Sequence, residues 1–149
     1  MVTELNIEHL GLLTALERQT LSGASDSQML EALGNDDACV LGWWQKGELQ
    51  GYAIVTRLPF EAELQAIGVL PECRRSGAGL ALMEAVLAKA KCWSSERLLL
   101  EVRVGNLSAI RLYKRSGFGE DGVRKGYYPP LPSQAAAGRE DALLMSQVL

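Results

Sequence analysis

The chain has 149 residues, 48% of them hydrophobic and 22% charged, the make-up of one ordinary globular domain and not of a disordered or fibrous chain. Its net charge of −3 gives no general attraction to a nucleic-acid backbone, and no basic run interleaved with aromatics occurs, so a nucleic-acid role is disfavoured. Early acids at the start and the lack of any long apolar run argue against a signal peptide and a membrane span, so the cytosol is the expected compartment.

The predicted elements begin with a short strand over residues 2–5 and a helix for which Asn6 is the cap, with Leu10, Leu13, Leu16 and Glu17 at helical spacing. His9, the single histidine, lies in this segment, so no Cys-His pair, Ser-His pair or His-rich metal site is expected. Ser25 and Gln28 stand at capping-box spacing and Gly34 is a stop, which predicts a second short helix. Residues 38–45, a turn at Lys46-Gly47 and residues 48–58 read as a hairpin, with residues 61–70 as its third strand. Cys39, Cys73 and Cys92 are odd in number and lack C-x-x-C spacing, which predicts free thiols.

Residues 71–89 read as a basic turn running into a helix that ends near Cys92, with Leu80, Met83, Val86 and Leu87 on one face. Gly77 and Gly79 allow a ligand close to the backbone, the amides of the helix start are unpaired, and Arg74 and Arg75 add charge. Such a turn suits an anion, although a Gly-x-Gly at a helix start is also plain turn geometry. It is not a nucleotide-hydrolase phosphate loop, because Leu80 and Ala81 follow Gly79 where Lys-Ser or Lys-Thr is required. Nor is it a dinucleotide fingerprint, since Leu82 stands where a third small residue is needed.

Further on, residues 98–102 predict an apolar strand interrupted only at Glu101. Asn106 caps a helix with Lys114 and Arg115 in its last turn, and Gly117 ends it. Residues 118–128 and 140–149 read as two final strands around a loop that is mobile by composition, P-P-L-P-S-Q-A-A-A-G. The order is strand, two helices, three strands, helix, strand, helix, two strands, an α/β arrangement with helices on both faces of a mixed sheet.

Two runs carry a resemblance. I-G-V-L-P-E-C-R-R-S-G-A-G, residues 67–79, resembles the acetyl-CoA pyrophosphate loop of the GCN5-related N-acetyltransferases (GNAT). L-L-L-E-V-R-V-G-N-L-S-A-I-R-L-Y-K-R-S-G-F-G, residues 98–119, resembles a second motif of that family. With Y-Y-P and R-E-D-A-L-L-M near the end, the ordered set is similar to the branch that acetylates the N-terminal alanine of ribosomal proteins, the RimI type. The resemblance implies one GNAT domain over residues 1–149, with a mostly antiparallel sheet of about seven strands and about four helices. It implies acetyl-CoA as co-substrate, no metal, and the basic N-terminal segment of small-subunit ribosomal protein 18 as acceptor.

It also implies roles. Ile67, Gly68 and Val69 lend backbone groups to the pantetheine arm, and Arg74, Arg75, Ser76, Gly77, Ala78, Gly79 and Leu80 cover the pyrophosphate. Glu101 takes the family's proton-acceptor position. An α-amino group has a pKa of ~8 and must lose its proton before it attacks, and burial of a lone carboxylate in a strand raises its pKa towards that task. Read without the resemblance, Glu101 is first of all an acid at a sheet end, salt-bridged or solvated. Tyr113 matches the proton donor to the departing thiolate; alone it reads first as a core aromatic of its helix. Asn106 is a cap whose family counterpart also contacts the cofactor. Tyr127 and Tyr128 match paired tyrosines near the peptide site, with edge-strand packing as the other reading. Glu61 and the Glu140-Asp141 pair either meet the acceptor's positive charge or form a solvated rim. Two departures from the family bear on peptide choice: L-S-G-A-S-D-S replaces an aromatic-Pro-Trp turn after the first helix, and the loop before R-E-D-A is enlarged. Acetylation of a small amine or a lysine side chain, and a non-catalytic acetyl-CoA-binding module, remain open.

Overall fold

In the computed structural model, which describes residues 1–149, local signals set most element boundaries. Asn6 accepts the Glu8 amide at 2.9 Å while its own amide donates to His9 Nδ1 at 2.9 Å, so the predicted cap opens a 3-10 turn, Ile7–His9, that leads into α1, Leu10–Thr20. The lone histidine is therefore a helix-start residue, its ring edge-on to Trp44. Ser25 Oγ accepts the Gln28 amide at 3.1 Å and starts α2, Asp26–Leu33, and Gly34 stands at its C-cap.

The chain divides into two units, residues 1–98 with 149, and residues 99–148. The first contains α1, α2, β1 (Val2–Glu4), β2 (Ala38–Gln45), β3 (Glu48–Arg57), β4 (Glu61–Val69) and α3 (Ala78–Cys92). Its strands pair antiparallel in sequence order, with Leu41 opposite both Glu4 and Ala53, and Ala53 opposite Ile67. Residues 51–55 of β3 are all buried, so both faces of that strand are covered, α1 and α3 packing against it. The face α3 buries is Ala78, Leu82, Met83, Val86 and Ala90, while Leu80 and Leu87, placed by spacing on one face with Met83 and Val86, are half-buried. That helix is apolar on most sides, so spacing alone did not select the inward stripe.

The second unit takes most of β5 (Arg97–Arg103), then α4 (Leu107–Arg115), β6 (Gly119–Tyr128) and β7 (Glu140–Val148). β6 and β7 pair antiparallel with Val123 opposite Leu143 and Tyr128 opposite Glu140. β5 alternates: Leu98, Leu100 and Val102 are buried, whereas Leu99, Glu101 and Arg103 are half-buried. Glu101 is thus on the more open face of its strand and not within a wholly buried one. The loop expected to lack structure contains 3-10 turns over Pro132–Ala137, broken at Gln134. The seven strands make a mixed, mostly antiparallel sheet, the mixed character as the element order implied and the strand number and pairing as the resemblance implied.

Candidate functional site

In the first unit the basic turn begins with a 3-10 turn, Pro71–Cys73, whose Cys73 is buried and donates its thiol to Gln50 Oε1 at 3.0 Å, a structural role for that cysteine. Arg75 and Gly77 both adopt left-handed backbone, φ 69° and 89°, a geometry that gathers successive amides around an anion. Gly77 stands at the N-cap of α3 with no side chain to cap it, and the first hydrogen bond across the turn runs from Ala81 N to Gly77 O at 2.9 Å. The amides of Ala78, Gly79 and Leu80 ahead of it are the helix's orphan donors, with the positive dipole end behind them. Ser76 Oγ donates back to Cys73 O, which braces the turn, and Arg74 and Arg75 are exposed beside it. Uncapped amides, left-handed backbone and free guanidinium charge form a donor set that fits a diphosphate.

On β4, Ile67 and Val69 are half-buried and Gly68 is buried. A Cβ on Gly68 would lie 2.8 Å from Thr20 Oγ1 and 3.0 Å from Ser22 Oγ, so the end of α1 occupies that face of the strand. Those residues belong to a polar cluster that spacing did not reveal. Glu17 Oε1 accepts Tyr52 OH at 2.6 Å, Thr20 Oγ1 at 3.0 Å and the Ser22 hydroxyl, and Oε2 accepts the Gly23 amide at 2.9 Å. Burial pushes the Glu17 carboxyl upward, but the four donors outweigh it and hold it below its ordinary 4.5. The phenol of Tyr52 is pushed well up, first by burial and then by its bond to Glu17. An acid within the apolar stripe of α1 was the one signal available. Glu61 is half-buried at the start of β4, its amide bonded to Leu58 O at 3.3 Å.

In the second unit Glu101, Arg124, Tyr127 and Tyr128 come together. Arg124 Nη1 lies 3.4 Å from Glu101 Oε1 and its guanidinium stacks 4.8 Å from the Tyr127 ring centroid. The Glu101 side chain keeps 28% of its exposure, so a solute can reach it. The two tyrosine rings meet edge to face at 4.9 Å, and Arg103 stacks at 4.6 Å from Tyr128. The Tyr128 phenol is pushed up to about 12, by burial and then by the charge of Glu101. Tyr113, in α4, is buried against Phe118 with ring centroids 5.9 Å apart. Burial, and secondarily Tyr128, push its phenol well up, which keeps it protonated near neutral pH. Asn106 Oδ1 accepts the Ala109 amide at 3.2 Å, the predicted cap. The Glu140-Asp141 pair is not a free acidic rim. Glu140 accepts from Arg103 at 3.2 Å and the Gly105 amide at 2.9 Å, and Asp141 from the Gly126 amide at 2.8 Å and Lys125 at 3.3 Å.

The first unit thus holds a helix start whose donors suit an anion, and the second unit holds a reachable carboxylate and a buried, protonated phenol. The model of the acetyltransferase (GNAT) family matches residues 10–118, and the chain belongs to that family, whose members are acetyl-CoA-dependent N-acetyltransferases. It is 38% identical over 102 residues to the ribosomal protein bS18-alanine N-acetyltransferase of Escherichia coli K12, covering 68% of this chain and 66% of that protein. A putative enzyme of the same name from Bacillus subtilis is 35% identical over 120 residues, 80% of this chain and 75% of that protein. The crystal structure of the ribosomal-protein-S18-alanine N-acetyltransferase from Escherichia coli superposes with a TM-score of 0.87 at 29% identity, over 99% of this chain and 92% of that one. The aligned part thus spans just under two thirds of the Escherichia coli protein's length. Among the described residues no group of His, Cys, Asp and Glu is arranged to hold a metal, and no helix is long and apolar enough to cross a membrane.

Proposed function

We propose that residues 1–149 form one N-acetyltransferase domain of the cytoplasm that transfers acetyl from acetyl-CoA to the α-amino group of an N-terminal alanine, that of small-subunit ribosomal protein 18. The observation that carries the reading is the reachable Glu101 carboxylate, set among Tyr127, Tyr128 and Arg124 at the position the family uses as base. The similarity to enzymes named for that ribosomal acceptor supports the choice of substrate.

The turn of residues 75–80 binds the diphosphate, mostly through the free amides of Ala78, Gly79 and Leu80 with Arg74 and Arg75 beside them, and Ile67, Gly68 and Val69 bind the pantetheine arm through their backbone. Acetyl-CoA supplies an already activated thioester, so no metal is required. Glu101 accepts the proton of the acceptor's ammonium, and the freed amine attacks the carbonyl carbon. The C–N bond forms, the C–S bond breaks, and the Tyr113 hydroxyl gives its proton to the leaving sulfur. Tyr113 suits that task because its hydroxyl keeps its proton at working pH. Asn106 adds a cofactor contact to its capping role. Tyr127 and Tyr128 flank the acceptor, and Glu61 meets its basic residues.

The test is the mass of the acceptor after incubation with acetyl-CoA and the purified chain. An alanine-starting basic peptide should gain one acetyl group and its pre-acetylated form none. Cofactor consumption with a polyamine panel alone would overturn the peptide reading.

A further inference from the structure

Three consecutive side chains, Arg139 just ahead of β7 and the first two residues of that strand, are spent on the backbone of the segments that carry the proposed site. Arg139 Nε donates to Gly126 O at 2.7 Å and its Nη2 to Tyr127 O at 2.8 Å. Asp141 Oδ1 takes the Gly126 amide at 2.8 Å, so residue 126 is held from both sides at its left-handed φ of 58°. Glu140 reaches furthest. One oxygen accepts the Gly105 amide, directly ahead of the Asn106 cap of α4, and the other pairs with Arg103. Arg103 in turn donates to Pro129 O at 2.8 Å and lies over the Tyr128 ring. The pair is only 25% and 17% exposed, so its charges are poorly screened compared with a surface pair.

We infer that Glu140 is a positioning residue for acetyl transfer. Through Arg103 and Gly105 it ties together the end of the strand that carries Glu101, the start of the helix that carries Tyr113 and the end of the strand that carries Tyr128. The three groups come from different elements, and no contact between their side chains sets their mutual distance within hydrogen-bonding reach. A carboxylate with one oxygen on a helix-start amide and the other on a doubly bonded arginine supplies that constraint. It also removes Glu140 from the set of acids that meet the acceptor directly. This inference rests on the reading of Glu101, Tyr113 and Tyr128 given above.

Glu140→Gln, Glu140→Ala, Arg103→Met and the double variant Glu140→Ala/Arg103→Met test it, with folding checked by thermal melts. Each single variant should lower kcat/KM for the alanine-starting peptide about tenfold while leaving the KM for acetyl-CoA within about twofold, because the diphosphate turn is untouched. The double variant should lose no more than about threefold beyond the worse single one, since both act through one contact. Amide hydrogen exchange without substrate should speed up at residues 103–107 and 126–129 in the folded variants. Equal rises in both KM values, additive losses, or unchanged exchange at those residues would overturn the inference. If the unaltered chain acetylates no peptide, the proposed function fails, while the exchange result decides the clasp independently. Should Glu140→Ala not fold, Glu140→Gln and Arg103→Met carry the same outcomes.

Discussion

Replacing Glu17 by Gln perturbs the polar cluster beneath β4 with little change of shape. The carboxylate satisfies four donors; an amide in its place retains one acceptor oxygen, while its NH2 meets the Gly23 amide donor to donor. A hydrogen bond to a charged group is worth about 1.5–3 kcal/mol, and Glu17 is only half-buried, so screening puts the expected loss near the low end, ~2 kcal/mol. For a chain of this length that lowers Tm by about 4–8 °C. The loss also has a pH signature. The folded carboxyl lies below its ordinary 4.5, so its stabilisation is fully present above that value and fades as pH falls through the folded value. Melts followed by circular dichroism should show the full gap between the two proteins near neutral pH and a shrinking gap as the pH falls below the ordinary 4.5. A variant that melts with the unaltered chain at neutral pH, or a gap that widens in acid, would refute the reasoning.

Glu101→Gln and Tyr113→Phe should each lower kcat by one to several orders of magnitude while calorimetric binding of acetyl-CoA stays nearly intact; unchanged turnover in both would remove them from the mechanism. Gly68→Ala forces a methyl against Thr20 at 2.8 Å, and overpacking of about 1–3 kcal/mol should appear as a lower Tm, absent if the end of α1 does not occupy that face. Gly79→Glu adds bulk and negative charge at the proposed diphosphate turn and should raise the KM for acetyl-CoA well above that for the peptide; equal effects on both would place the diphosphate elsewhere.

Where a single residue decides backbone direction, the sequence was easy to read. Lys46 and Gly47, φ 54° and 77°, make the hairpin turn where the pattern placed it, and Ser25, Gly34, Asn106 and Gly117 mark helix ends as expected. The backbone of the turn ahead of α3 was legible for the same reason, because its left-handed positions depend on glycine spacing. Side chains whose partners are distant in sequence were not legible. Glu17 meets Tyr52 35 residues away, and Glu140 meets Arg103 at a separation of 37, and no local period encodes either contact. The acid at 101 showed both tendencies: its place in the family's motif pointed to a base, but the alternating burial of β5 and the guanidinium beside it come from tertiary packing alone.

The ion pairs of the second unit single out Glu101 by what holds it. Lys114 binds Glu120 at 2.9 Å, both half exposed, and Glu140 is taken by a guanidinium and an amide. Asp141 is likewise engaged by an amide and a lysine. Glu101 has Arg124 at 3.4 Å, from a side chain that is itself 51% exposed, and an exposed pair of that kind contributes about 0.2–1 kcal/mol. An ammonium presented to Glu101 therefore displaces a weak partner and leaves Arg124 stacked on Tyr127, whereas the same ammonium at Glu140 would have to break a half-buried pair and uncap the Gly105 amide. In the proposed mechanism the acceptor's amine is thus directed to Glu101 by the low cost of vacating that carboxylate, with no dedicated acidic pocket required.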